Sequence, residues 1–165
     1  MTKVSIIVPV YNVEEYLKEC LDSLVKQTLT DLEFICINDG STDSSLEILN
    51  EYAKKDGRFI ILSQENQGQG VARNNAIQIS KGEYIAFLDP DDWVELNALE
   101  ILYNFAKEKN AQIVQFNYKE YNEEKDRYRE QDFQANLLSL CNVVYLPRTP
   151  DISTTKIKNS ILRQE

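Results

Sequence analysis

A chain of 165 residues, 42% apolar and 27% charged, has the make-up of an ordinary globular protein and the length for one substantial core. Its net charge of -9 argues against a surface that tracks nucleic-acid phosphates. The lack of any histidine excludes a histidine general base, a histidine metal site and a Ser-His triad. No apolar run reaches the length of a membrane span, and no basic-then-apolar leader opens the sequence. Cys20, Cys36 and Cys141 are odd in number, widely spaced and set in apolar patterns, which reads as buried reduced thiols of a cytoplasmic protein.

In chain order, Val4 to Val10 is a buried first strand closed by Pro9. Asn12 is placed to cap the helix that follows, with Glu15 as its capping-box partner, and Val13, Tyr16, Leu17, Cys20, Leu21, Leu24 and Val25 form one apolar stripe. Leu32 to Ile37 is a second buried strand, ended by Asn38-Asp39-Gly40-Ser41-Thr42-Asp43. Ser44 and Glu47 suit a capping box for a second helix, which carries Leu46, Leu49 and Ala53 inward and stops near Asp56-Gly57. A short third strand, Phe59 to Leu62, leads through a polar loop to a third helix with Ala72, Ala76 and Ile79 on its inner face. Tyr84 to Leu88 is a fourth strand. A fourth helix buries Leu99, Leu102, Tyr103 and Ala106, and Gln112 to Tyr118 reads as a half-exposed strand with Val114, Phe116 and Tyr118 on one face. Beyond it, Lys119 to Asp132 is a mixed charge run suited to a solvated loop or helix face, Phe133 to Tyr145 suits one more helix, and Leu146 to Glu165 shows no compelling period. Strands alternating with helices imply an α/β fold, a Rossmann-like three-layer sandwich with a mainly parallel central sheet.

The fourth strand stops at Asp89-Pro90-Asp91-Asp92. Pro90 forces Asp89 into extended backbone and blocks further pairing, so Asp89 and Asp91 converge at the strand's C-terminal tip. In an open α/β sheet that edge is where ligands bind. Carboxylates packed this closely repel one another unless protons or a cation neutralise them, and a hard ion such as Mg²⁺ or Mn²⁺ suits an oxygen-only ligand set. The same residues also suit a turn, and Asp92 also suits an N-cap ahead of Val94-Glu95-Leu96.

Other loops share that sheet edge. The first strand ends in Pro9-Val10-Tyr11-Asn12, the second in Asp39 and Asp43, and the loop before the third helix carries Gly68, Gly70, Arg73 and Asn74. This last spacing is not the dinucleotide fingerprint, because Arg73 stands where the third glycine belongs, which disfavours a dehydrogenase. Glycines there let backbone approach a ligand, and Arg73 offers a planar fork to a base carbonyl or a phosphate. Each loop alone also fits a structural role, with Gly68 and Gly70 shaping a turn and Arg73 on a helix surface. Their co-location is what favours a site.

With these residues in view, the sequence resembles the family 2 glycosyltransferases of the GT-A fold. The resemblance rests on Val8-Pro9-Val10-Tyr11-Asn12, Asn38-Asp39-Gly40-Ser41-Thr42-Asp43, Gly70-Val71-Ala72-Arg73-Asn74 and Leu88-Asp89-Pro90-Asp91-Asp92, in order and spacing, across roughly the first 118 residues. It implies metal-dependent transfer of a sugar from a nucleotide sugar, most often a UDP-sugar, with inversion, to a glycan or lipid-linked acceptor. It further implies that Pro9, Val10 and Tyr11 line the base pocket beside Asn12 and Gly70. Asp39 would accept a hydrogen bond from the uracil ring nitrogen, and Arg73 would lie near base and ribose. Asp89 would approach the ribose and the metal shell, and Asp91 would ligate Mn²⁺ or Mg²⁺ on the diphosphate, with Asp92 behind it or capping the next helix.

The family also needs a carboxylate base, usually in a Glu-Asp pair beyond the metal motif, and no such pair follows Trp93. Asp91 and Asp92 are the carboxylates nearest the chemistry, and the base stays unassigned. The expectation is therefore a donor-binding part over residues 1–118, an acceptor-side segment over 119–165, and a longer parent enzyme. Rival readings are a non-catalytic nucleotide-sugar-binding module, a haloacid dehalogenase-type phosphatase built on the Asp-x-Asp strand end, and a nucleotidyltransferase, which would want a glycine-rich loop after the first strand. The resemblance places the protein in the cytoplasm, with peripheral association at the inner face of a membrane; oligomeric state has no signature.

Overall fold

The computed structural model describes residues 1–116, 119–122, 127–130 and 160–163. Its elements run β1 (Val4–Val10), α1 (Glu14–Val25), β2 (Leu32–Asp39), α2 (Ser45–Lys55), β3 (Phe59–Gln64), α3 (Gln69–Ile79), β4 (Tyr84–Phe87), α4 (Ala98–Glu108), β5 (Ile113–Gln115), β6 (Lys119–Asn122), β7 (Arg127–Glu130) and β8 (Ser160–Arg163). Six strands form one sheet in the order β3-β2-β1-β4-β8-β5. β1 pairs in parallel with β2 and with β4, β2 in parallel with β3, and β8 antiparallel to both β4 and β5. The α/β architecture with a mainly parallel sheet is the expected one.

Both faces of this sheet are covered, which is why β1 and β2 are buried at every residue and read as continuous apolar runs. The pleat divides them. Val4, Ile6, Val8 and Val10 of β1 join Leu17, Leu21 and Leu24 of α1, Leu49 of α2 and Leu99 of α4 in the larger core. Ile7, Ile35 and Ile37 join Ala72 and Ala76 of α3 on the other face. Steps from β1 to β2 to β3 carry α1 and α2 along one face. The return from β3 to β4 reverses direction and throws α3 onto the opposite one, as right-handed crossovers require.

Several details differ from the sequence expectation. The buried side of α2 is Ser45, Ile48 and Leu49, with Leu46 and Ala53 only half-buried. On α3, Ile79 is exposed and Arg73 is buried instead. The charge run after Tyr118 is neither loop nor helix face where it is described, since β6 and β7 pair as an antiparallel ribbon. Ser160–Arg163, from a stretch without evident period, forms β8 between β4 and β5. Residues 117–118 of the expected fifth strand, the helix expected over Phe133 to Tyr145, and Cys141 lie outside the described residues.

Candidate active site at the sheet switch point

Strand order reverses between β1, whose chain goes on to β2, and β4 on its other side. At such a switch point the flanking crossovers leave on opposite faces, and a crevice opens beyond the strands' C-terminal ends. A cleft of ≈ 740 Å³ lies there, lined among others by Pro9, Val10, Tyr11, Asn12, Asp39, Asp89 and Asp91. Seven of the expected site residues thus converge on one cavity. Gly70, in the exposed first turn of α3, Arg73 and Asp92 are not part of its lining.

The acidic run is a closed turn. Leu88 still donates its N–H to Ile7 C=O at 3.0 Å, and after Pro90 the Asp92 N–H returns to Asp89 C=O at 3.0 Å. Asp92 is therefore part of a turn and not a helix cap; α4 begins later, behind Asn97. The turn gathers carboxylate oxygens of Asp89, Asp91 and Asp92 within 4.8 Å of one another, with Asp89 buried and the other two exposed. Three hard oxygen donors in this space match the ligand preference of a divalent cation.

Arg73 holds the buried member of the three. Its Nη2 lies 2.5 Å from Asp89 Oδ1, with the pair's side chains 3% and 9% exposed, and its guanidinium sits over the Phe87 ring at 5.6 Å. Gln69 Nε2 adds a second donor to the same oxygen at 3.3 Å. The fork expected to face a base carbonyl or a phosphate is thus turned to Asp89, and Arg73 Nε has no hydrogen-bond partner among the described residues. Below the turn, the Cys20 thiol contacts Asp89 C=O at 3.7 Å. Burial, then the neighbouring Cys36 and the three aspartates, push the Cys20 thiol well up, so it stays protonated. Burial alone pushes Cys36 up to about 12.

Asp39, 3% exposed at the end of β2, receives Gln64 Nε2 at 2.8 Å, Gln67 N–H at 2.9 Å and Gly68 N–H at 2.8 Å. These bonds draw the β3–α3 loop around its carboxylate. Gly40 makes the approach possible: its φ is +76°, and a Cβ there would stand 2.9 Å from Asn66 N.

The cleft's other wall is built by two helix starts that cap each other. The local capping boxes expected at Asn12/Glu15 and Ser44/Glu47 do not form, since neither α1 nor α2 has a side-chain bond from its own N-cap residue. Instead Glu14 N–H donates to Asp43 Oδ2 at 3.1 Å, Ser45 N–H to Asp43 Oδ1 at 3.0 Å, and Ser44 N–H to Glu14 Oε2 at 2.8 Å. Val13 N–H reaches Ser45 Oγ at 3.1 Å. Asn12, in the left-handed region at φ 48°, accepts Thr42 N–H on Oδ1 at 2.8 Å. The Val13, Glu14 and Ser44 N–H groups find oxygens across space and Ser45 N–H finds one two residues back, in place of the expected capping boxes. Burial pushes the Asp43 carboxyl up, but the bonds from Ser45 and Glu14 together outweigh it and hold the group below the usual carboxylate range.

Glu14, Glu15, Tyr16, Asn66 and Gln69 also line the cleft and were not singled out as site residues from sequence. The available signal was position: each lies within a turn of a strand or loop already pointing to that edge.

Comparison with known proteins agrees with this layout. The family model for glycosyl transferase family 2 matches residues 5–161. Glycosyltransferase GlyA of Streptococcus pneumoniae is 46% identical over 121 residues, 73% of this chain and 17% of its own length. The poly(ribitol-phosphate) beta-glucosyltransferase of Bacillus spizizenii is 50% identical over 116 residues, 68% of this chain and 18% of its own. The chain therefore spans less than a fifth of either relative. Among solved structures, S. aureus TarS 1–349 in complex with UDP-GlcNAc superposes with a TM-score of 0.74 at 26% identity, covering 98% of this chain and 45% of that one. The fold is that of the GT-A glycosyltransferases, and the phosphatase and nucleotidyltransferase readings fall. A match that runs from β1 into β8, on a sheet whose switch point carries the acidic turn, makes this chain a member of glycosyl transferase family 2.

Proposed function

We propose that the cleft is the donor site of a glycosyltransferase that takes a sugar from a UDP-sugar and passes it, with inversion, to a glycan or lipid-linked acceptor. The observation that carries the reading is the convergence of Asp39, Asp89 and Asp91 on one cleft together with the Pro9-Val10-Tyr11-Asn12 strand end. The TarS complex with UDP-GlcNAc supports the choice of nucleotide. Tyr11, 49% exposed, offers a ring face for the base, and Asp39 offers it an acceptor. Arg73 serves the ribose side through the Asp89 that it holds, and Gly70 lies at the start of α3 beside the loop whose Gln67 and Gly68 N–H groups bind Asp39.

Asp91 would hold Mn²⁺ or Mg²⁺, with Asp89 in the same shell and Asp92 beside it. A divalent ion bound there offsets the charge that develops on the diphosphate leaving group. Asp91 is suited to direct ligation because it is exposed and makes no hydrogen bond or ion pair among the described residues. On this reading residues 1–118 bind the donor and 119–165 belong to the acceptor side. The buried thiols of Cys20 and Cys36 suit work in the cytoplasm. No helix among the described residues is long and apolar enough to cross a membrane.

The test is titration of UDP against this chain with and without Mn²⁺, with GDP as control. Binding of UDP that strengthens with Mn²⁺ and exceeds that of GDP is the expected result. A folded chain that binds neither nucleotide contradicts the reading.

A further inference from the structure

Asp39 and Gln64 are register partners at the ends of β2 and β3, so their side chains leave the sheet at the same level. An ionised carboxylate has about four acceptor positions. Two are taken on Oδ1, by Gln64 Nε2 at 2.8 Å and Gln67 N–H at 2.9 Å, and one on Oδ2, by Gly68 N–H at 2.8 Å. Behind Gln64 stands Asn75 of α3, whose Nδ2 donates to Gln64 Oε1 at 2.7 Å. The direction of this relay is dictated from its carboxylate end. Asp39 offers only acceptors, so Gln64 must turn its NH₂ toward it. Gln64 Oε1 then faces α3, and Asn75 must answer with its own NH₂.

We propose that Gln64 and Asn75 are positioning residues that act through Asp39, leaving one Oδ2 acceptor open to the cleft so that the site selects a nucleobase with a ring N–H donor. This deepens the donor-site reading and rests on it. Uracil presents such an N–H. Cytosine has an unprotonated ring nitrogen in its place, which would set a lone pair against a carboxylate whose protein neighbours all donate to it. Asn75 is not among the residues that line the cleft and its hydrogen bond goes to Gln64, so its influence passes through the orientation of one amide.

The test is calorimetric titration of UDP and of CDP, with Mn²⁺ present, on the unaltered chain, Asn75→Asp and Gln64→Leu, with thermal melts of each. Asn75→Asp is nearly isosteric but offers Gln64 only acceptors, so the amide then stands between two carboxylates and the orientation that serves Asp39 is no longer fixed. Gln64→Leu removes the donor outright. The unaltered chain is expected to favour UDP over CDP by about tenfold or more, the worth of one charge-assisted hydrogen bond. Both variants are expected to weaken UDP by about tenfold and to leave CDP within about twofold, because only the oriented acceptor is lost. A general structural defect would weaken both nucleotides together. Discrimination that persists in a folded variant overturns the relay while leaving the donor site standing. An unaltered chain that binds neither nucleotide defeats the donor-site reading and the relay with it. If only one variant folds, that variant decides; loss of folding in both overturns the proposal, since the pair would then hold the fold and not the carboxylate.

Discussion

Strand β2 carries a buried carboxylate near each end, and the two are put to different uses. At its start Glu33, 7% exposed, accepts Ser5 Oγ at 2.5 Å and Lys81 N–H at 2.6 Å. The space around it is closed: Gly82 N–H binds Ser5 Oγ at 2.8 Å, and a Cβ on Gly82 would stand 2.5 Å from Ser5 N. At its end Asp39 is as deeply buried and as well supplied with donors, yet it borders the cleft. The difference lies in topology. Beside Glu33 the chain enters β4 straight from α3 and packs against β1, whereas beyond Asp39 the crossovers part to opposite faces. Burial and hydrogen bonding of an acid therefore do not by themselves mark a site; the sheet edge on which they occur does.

The largest way to break this contrast is at Arg73. Replacing it with Met strands Asp89 as an uncompensated buried charge and should cost about 3–5 kcal/mol in chemical denaturation. Metal-dependent UDP binding should weaken as well, so the site end bears stability too. At the closed end, Gly82→Ala forces a methyl group against Ser5 backbone and should cost about 1–3 kcal/mol, read as a fall in melting temperature, with the UDP dissociation constant of the folded protein unchanged. Glu33→Gln keeps the shape but loses the charge-assisted part of two hydrogen bonds. It should cost about 1–2 kcal/mol, again with UDP affinity intact.

The smallest effect sharpens the contrast by pH. Because Asp43 is held below its unfolded value, its contribution is fully present above the unfolded carboxylate pKa and is lost as pH falls through the folded one. Asp43→Asn should therefore flatten the acid limb of the stability profile and leave the neutral region nearly level. An acid limb unchanged in the variant would show that the mutual capping of α1 and α2 does not depend on that charge.

The strands and the acidic turn were legible because their signals are local. A run such as Ile6-Ile7-Val8 has no place except a sheet covered on both faces, and proline between aspartates ends a ladder wherever it occurs. The helix caps were misread because their partners are distant: Asn12 serves Thr42, and Asp43 serves Glu14, each across about 30 positions that periodicity does not see. Arg73 looked like a surface fork because its i+16 partner is reached only once α3 has crossed behind β4. Ser160–Arg163 is too short to show a period, and its strand character comes from the two edges it joins. Convergence of Pro9, Asp39 and Asp91 was readable since a parallel sheet puts strand ends on one side; how the amides of Gln64 and Asn75 arrange Asp39 was not.

The most direct measurement is a calorimetric titration of UDP with and without Mn²⁺ on three proteins: the unaltered chain, Asp91→Ala and Glu33→Gln. The account predicts a metal-dependent gain in UDP affinity in the unaltered chain and in Glu33→Gln, and its loss in Asp91→Ala. A gain that survives in folded Asp91→Ala, or that vanishes in Glu33→Gln, would contradict the assignment of the acidic turn at the switch point as the metal-bearing donor site.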